Sequence, residues 1–288
     1  MIRSMTGYAR AESATPSGRI SWEMRSVNHR YLDLQFKLPE EFRLLENELR
    51  TQAAAHIARG KVECGLRYQR ESAPADSLQL DLPRLAGLRQ ALDTVTAELG
   101  ATAVPDPLRV LGFPGVLRQE QADFTPLLTQ ARELFGQVLQ DFTDTRAREG
   151  ERLAGFLRER CETLTQLVAQ VRTRAPQVRD QWADRLRGRC AELGVEVEPA
   201  RLAQEVALAA QRLDVEEEMS RLASHIEEVA QSLRRGESVG RRLDFLMQEL
   251  NREANTLSSK SQDAEMTRCG VEMKVLIEQM REQVQNIE

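Results

Sequence analysis

The chain has 288 residues, 41% hydrophobic and 30% charged, with a formal net charge of -5. That balance fits a soluble, helix-rich globular protein with room for one large core or two ordinary ones. The negative sign argues against a protein that coats nucleic acid through bulk charge, so a polyanion would have to meet local basic patches or a metal ion. No run approaches the roughly 18 apolar residues of a membrane span, and the opening Met1-Ile-Arg-Ser-Met-Thr-Gly-Tyr8 lacks a signal-peptide core. Cys64, Cys161, Cys190 and Cys269 contain no CxxC pair. Neither a zinc cluster nor a disulfide framework is expected, and the chain reads as cytoplasmic.

The first seventy residues read as a sheet with one helix. Ile20, Trp22 and Met24 alternate with polar residues, and so do Leu32, Leu34, Phe36 and Leu38. Both sets fall on even positions, so they form either one long strand or two strands joined by a turn. Between them lie Ser26, Asn28 and Arg30. With Arg25 and His29 these make either that turn or a polar notch that touches a substrate. Pro39 ends the strand. Phe42, Leu45, Leu49, Ala53 and His56 then follow at helical spacing, and Val62, Cys64, Leu66 and Tyr68 give a closing strand. A Ser-, Asp- and Pro-containing stretch over 71–81 marks a boundary.

Beyond it every periodic segment is helical. Leu85, Leu88, Leu92 and Val95 make one helix, and 105–115 is a proline-punctuated connection. From Pro126 to Arg189 the pattern is of long amphipathic helices, with Leu153, Phe156, Leu157, Leu164, Leu167, Val168 and Val171 turned inward. Further helices cover roughly 199–235, 240–257 and 264–287. Met266, Gly270, Met273, Ile277, Met280, Val284 and Ile287 form a heptad seam suited to helix packing or oligomerisation. The expected class is α+β: an N-terminal antiparallel sheet with a helix, then a large all-helical part with antiparallel hairpins and a coiled-coil-like last helix. Three units follow from this, 1–72, 73–198 and 199–288.

No Walker loop, dinucleotide-binding GxGxxG, GxSxG elbow or HExxH motif is present, and three histidines exclude a histidine-rich metal site. Two C-terminal helices offer a constellation instead. At about 100° per residue, Asp214, Glu218, Arg221 and His225 share one shoulder of the seam Val215, Met219, Leu222, Ile226, Val229 and Leu233. Arg242, Glu249 and Glu253 share the corresponding shoulder of the next helix. The short connection Arg234 to Gly240 predicts an antiparallel hairpin with these shoulders on one side and His225 level with Glu249. Carboxylates with an imidazole suit Mg²⁺ or Mn²⁺, arginines suit phosphate, and His225 suits proton transfer. Glu and Arg at such spacing more often form surface ion pairs worth about 0–1 kcal/mol each. The opposite shoulder, Asp244, Gln248, Asn251 and Asn255, suits hydrogen bonds between helices or to sugar and phosphate.

Several stretches resemble the YicC/YloC family of bacterial proteins: the first eight residues, Trp22-Glu-Met-Arg-Ser-Val-Asn-His-Arg-Tyr-Leu32, Arg59-Gly-Lys-Val-Glu-Cys64, Gln211-Arg-Leu-Asp-Val-Glu-Glu-Glu218, Arg221-Leu-Ala-Ser-His225, Gly240 through Lys260, and Arg281 through Glu288. The resemblance runs end to end, weakest over 71–199. It implies a cytoplasmic, metal-dependent endoribonuclease acting on single-stranded RNA in messenger or small regulatory RNA turnover. It also implies a ring-like homo-oligomer, a hexamer, with RNA-decay enzymes as candidate partners. The site set expected here is Glu218, His225, Glu249 and Glu253 for a divalent cation, with His225, Glu249, Glu253, Arg221 and Arg242 doing the chemistry. Arg25, Asn28, His29, Arg30, Arg252 and Lys260 form the RNA path. Aromatic residues are 5% of the chain, so backbone contacts should dominate recognition. The rivals are a non-catalytic RNA-binding adaptor that presents RNA to another nuclease, and a purely structural helical scaffold.

Overall fold

The computed structural model describes residues 2–15, 18–69, 79–100, 104–117, 124–194, 198–235 and 239–288. Its N-terminal part comprises β1 (Gly7–Thr15), β2 (Gly18–Val27), β3 (Leu32–Lys37), a 3₁₀ turn (Glu40–Leu45), α1 (Glu46–His56) and β4 (Gly60–Gln69). The strands lie in the order β1-β2-β4-β3. The expected antiparallel sheet is therefore corrected to a mixed one: β1/β2 and β2/β4 are antiparallel, while β3/β4 are parallel. The chain leaves β3, crosses through α1 and returns beside it, and such a helical crossover joins parallel neighbours. The choice left open for residues 20–38 resolves into two strands with a turn, because β2 and β3 flank β4 on opposite sides.

The even-numbered row of β2 (Ile20, Trp22, Met24), Val62, Cys64 and Leu66 of β4, and Leu34 of β3 are buried with Phe42, Leu45, Leu49 and Ala53. The other wall of this core is the first part of α4 (Thr125–Glu192), a single helix of 68 residues where several helices were expected. At 1.5 Å per residue it is about 100 Å long. Leu127, Ala131, Leu134, Phe135, Val138, Leu139 and Phe142 face the sheet. The Trp22 indole N–H donates to the Ala131 carbonyl at 2.8 Å, so this large ring is buried with its polar atom satisfied.

The second part of α4 enters a different core. Leu153, Ala154, Leu157, Leu164, Val168 and Val171 pack with α6 (Glu216–Ser232), α7 (Gly240–Lys260) and α8 (Ala264–Val284). The whole α8 seam is buried inside the protomer, down to Ile287, so it is used for folding one chain rather than for pairing chains. Asp263 caps α8 through the amides of Glu265 and Met266 and receives the Arg174 guanidinium at 2.8 Å. Those donors hold its carboxyl below the usual range. By contrast, α2 (Leu82–Leu99), α3 (Pro107–Leu111) and α5 (Pro199–Leu213) bury no residue. The four cysteines are free, and burial pushes the Cys64 and Cys161 thiols up to about 12.

Between the two cores, Arg146 is fully buried. Its Nε donates to the Ser4 carbonyl at 2.6 Å and its terminal nitrogen to Glu288 Oε2 at 2.7 Å. The guanidinium also lies 5.6 Å from the Phe142 ring centre. Burial pushes its pKa down and Glu288 pushes it back up. Around it the chain ends interlock. Ser4 N–H donates to the Arg146 carbonyl, Met5 N–H to Asn286, Glu288 N–H to Arg3, and Ala58 N–H to the Glu288 carboxylate. One turn further along α4, the Ile2 carbonyl lies so close to Gly150 that a Cβ there would stand 2.2 Å from its oxygen.

Truncating Arg146 leaves the Glu288 carboxylate, only 10% exposed, without its cation. Arg146→Ala should lower unfolding stability by about 3–5 kcal/mol, read by urea denaturation, whereas Glu288→Gln should cost less because it keeps a hydrogen bond. Gly150→Ala should lower the melting temperature although alanine is the better helix former, because backbone rather than a side chain blocks the site.

Candidate active site on the α6–α7 hairpin

Helices α6 and α7 bury one stripe each: Met219, Leu222, Ile226 and Val229 on the first, Leu243, Leu246, Met247, Leu250, Ala254 and Leu257 on the second. Apolar residues three and four apart make such a stripe, and it leaves a charged shoulder beside it. Residues 236–238 of the connection lie outside the described residues. The antiparallel pairing is nevertheless fixed by a ladder of ion pairs. Glu218 meets Lys260 at 2.8 Å, Arg221 meets Glu253 at 3.4 Å, and Glu228 meets Arg242. Residue numbers rise on one helix as they fall on the other.

His225 lies between Arg221 and Glu228 on α6, and Glu249 lies between Glu253 and Arg242 on α7. From the Arg221–Glu253 rung, His225 lies four residues further along α6 and Glu249 four residues further back along α7, which brings the two to neighbouring depths on the hairpin. Both are half-buried. Neither makes a hydrogen bond or ion pair with any described residue, whereas the rungs on either side are closed.

The proposed ligands do not converge on one point. Among the described residues, no three His, Cys, Asp or Glu side chains form a group able to hold a metal ion. Glu218 and His225 are seven residues apart on one helix, a rise of about 10 Å. Two of the carboxylates are also already neutralised. Glu253 is buried against Arg221, and Glu218 is buried with one oxygen on Lys260 and the other, Oε2, without a partner. His225 and Glu249 are left as the pair that could share an ion. Its remaining positions would fall to water and substrate phosphate, a normal arrangement for Mg²⁺ but not a closed cage of protein ligands.

Arg221 and Arg242 bracket this rung, each with about half its side chain exposed. Lys260, expected on an RNA path, instead closes the ladder: its ammonium holds Glu218 and donates to the Asp214 carbonyl at 3.0 Å. Arg252 is exposed on α7, with no partner for its side chain among the described residues. Asn28, His29 and Arg30 occupy the exposed β2–β3 turn, where Arg59 donates to the His29 carbonyl at 3.2 Å and Arg30 lies over the Tyr31 ring. Arg25 points from the outer face of β2. These four belong to the sheet and none of them joins the ladder.

The sequence reading missed the Glu228 partner of Arg242, and a recess of about 440 Å³ at the Asp214 end of the ladder. Arg172, Pro176, Arg179, Gln211, Asp214 and Glu216 line it. The Gln211-to-Glu218 stretch was visible in the sequence, but Arg172 and Pro176 come from the middle of α4, whose pattern reads only as an amphipathic helix.

Comparison with known proteins agrees with this architecture. The family described as "Endoribonuclease YicC-like, N-terminal region" matches residues 2–155, and "Endoribonuclease YicC-like, C-terminal" matches residues 171–288. A Haemophilus influenzae protein named "Probable endoribonuclease YicC" is 42% identical over 288 residues, covering all of both chains. A Clostridioides difficile protein of the same name is 29% identical over 293 residues, again covering both in full. The chain belongs to the YicC-like endoribonuclease family.

Proposed function

We propose that this chain is a hydrolytic endoribonuclease that cuts single-stranded RNA with the help of a divalent cation, Mg²⁺ or Mn²⁺. The observation that carries the reading is the open rung: a half-buried imidazole and a half-buried carboxylate between closed ion pairs, neither side chain with a partner among the described residues. A histidine so placed can move a proton at the attacking or leaving oxygen of a phosphodiester, which is worth typically 10²–10⁴-fold in rate. Arg221 and Arg242 neutralise the non-bridging oxygens. Arg242 pairs with the partly exposed Glu228, which an incoming phosphate can displace at small cost. Arg221 can turn one arm from the exposed Glu217 while the other stays on buried Glu253. Alternatively, a divalent ion held by Glu249 and His225 would add positive charge at the scissile phosphate, with His225 then serving as its ligand in place of carrying the proton.

RNA would reach this rung past Arg252, with Arg25, Asn28, His29 and Arg30 guiding it from the sheet. The proposed setting is cytoplasmic turnover of messenger and small regulatory RNA, in company with RNA-decay enzymes. No helix among the described residues is long and apolar enough to cross a membrane. A ring-like homo-oligomer is supported by the apolar residues left uncovered on α2 and α3, with Leu99 75% and Leu108 77% exposed. Uncovered apolar side chains of this size are available for contacts between copies of the chain.

The direct test incubates purified protein with a labelled unstructured RNA, with and without EDTA. Cleavage should be abolished by EDTA and should fall at least about 100-fold in Glu249→Gln and in His225→Ala, with binding retained. Binding without cleavage would favour the adaptor, and no RNA retention would favour the scaffold. Lys260→Ala should act differently: it strips the cation from buried Glu218, so the melting temperature falls before RNA affinity does.

A further inference from the structure

The face of the sheet turned away from α4 is open, and its side chains follow from strand register. Tyr8 of β1 stands opposite Arg25 of β2, and Arg25 stands opposite Glu63 of β4. One row further along, Glu23 stands opposite Gly65, which in turn stands opposite Lys37 of β3. Gly65 has no side chain, and a Cβ there would meet nothing closer than 4.0 Å. The result is a recess of about 380 Å³ in the middle of the sheet, rimmed by Arg25, Arg67, Lys37, Glu23 and Glu63. That size falls within the range of small-ligand sites.

The charges around it differ in availability. Lys37 is held by Glu63 at 3.3 Å. Arg25 and Arg67 are exposed, and their side chains make no hydrogen bond or ion pair with any described residue. Tyr8, paired with Arg25 at the edge of the recess and outside its lining, is 50% exposed on the same face. Single-stranded RNA is bound through flat rings on which bases stack, next to cations that meet the phosphates. Glu23 and Glu63 add acceptors for the N–H groups of a base.

We propose that this open sheet face is a second RNA-contacting platform, separate from the α6–α7 rung, where the strand passes over Gly65 with phosphates on Arg25 and Arg67 and the base at the Arg25 end rests against Tyr8. The platform rests on the reading of the chain as an RNA-cutting protein, and adds where the strand is gripped away from the scissile bond. It positions substrate and takes no part in the chemistry.

The test measures binding of a labelled 12-nucleotide unstructured RNA to the full chain at several salt concentrations, alongside cleavage rates. Each single-strand phosphate contact contributes a salt slope of about 0.7, so Arg25→Ala/Arg67→Ala should lower the slope by about 1.4. Tyr8→Ala should weaken binding about five-fold or more. All these variants should raise KM and leave kcat and the solution mass unchanged. RNA carrying 4-thiouridine should crosslink to the Tyr8 peptide. Arg185→Ala, an exposed arginine at the far end of α4, should leave slope and affinity as they were. An unchanged slope in the double variant, or a change in solution mass that marks the face as a contact between copies, overturns the proposal. The rung is judged separately by Glu249→Gln, which should lose kcat and keep the slope. If that variant cleaves normally the rung fails, while the platform is still decided by the salt slope.

Discussion

The buried Arg146 guanidinium is the point at which the molecule is tied together. A 68-residue helix that serves one core with its first five turns and another with its later turns needs something to hold the two in register. At the crossover the inward face carries Thr143, Arg146 and Gly150 in place of large apolar side chains, so apolar packing alone gives little there. The chain instead places a charge where water is excluded and meets it with the Ser4 carbonyl and the Glu288 carboxylate, leaving only the Nη1 of that guanidinium without a hydrogen-bond partner. A buried ion pair of this kind adds little net stability over apolar packing but is costly to break. Its effect is to make one arrangement of the segments before β1, after α8 and around Gly150 far better than any other.

That arrangement matters for the candidate site through α7 and α8. The residues after α8 are fixed at the junction, α8 is packed on α7, and α7 is zipped to α6 by the ion-pair ladder. Each closed rung reduces the freedom of the next, so the stretches of α6 and α7 that carry His225 and Glu249 are held in register. Preorganisation of this sort lets a modest set of groups act together. Most of the ladder's charges are structural in this account. Among the described residues of the ladder, His225 and Glu249 are the groups without a partner, and Arg221 and Arg242 beside them are the cations placed to turn onto a phosphate.

Much of this was legible from residue spacing. The α6 and α7 seams and the antiparallel hairpin follow from a 3.6-residue period and a short connection. β1 was not legible, because its inward row includes Ala9, Ala11 and Ser13, small residues that give almost no alternation signal. Parallel pairing of β3 with β4 is a tertiary property that no local pattern carries. Arg146 looks like any other arginine on an amphipathic helix, and only the chain termini that close over it make it a core residue. The four-ligand shell failed for an axial reason: angular projection put Glu218 and His225 on one shoulder but ignored the roughly 10 Å rise between them. Lys260 sits at the end of α7 and reads as a free cation, until the hairpin brings it over Glu218.

The central claim is that the open rung is where RNA is cut. A crystal structure of the protein with an uncleavable single-stranded RNA would test it most directly. The account predicts a phosphodiester oxygen within hydrogen-bond reach of His225, about 2.6–3.2 Å, with Arg221 or Arg242 turned from its carboxylate onto the same phosphate. RNA seated elsewhere, with the His225–Glu249 rung empty and both arginines still on their carboxylates, would contradict it.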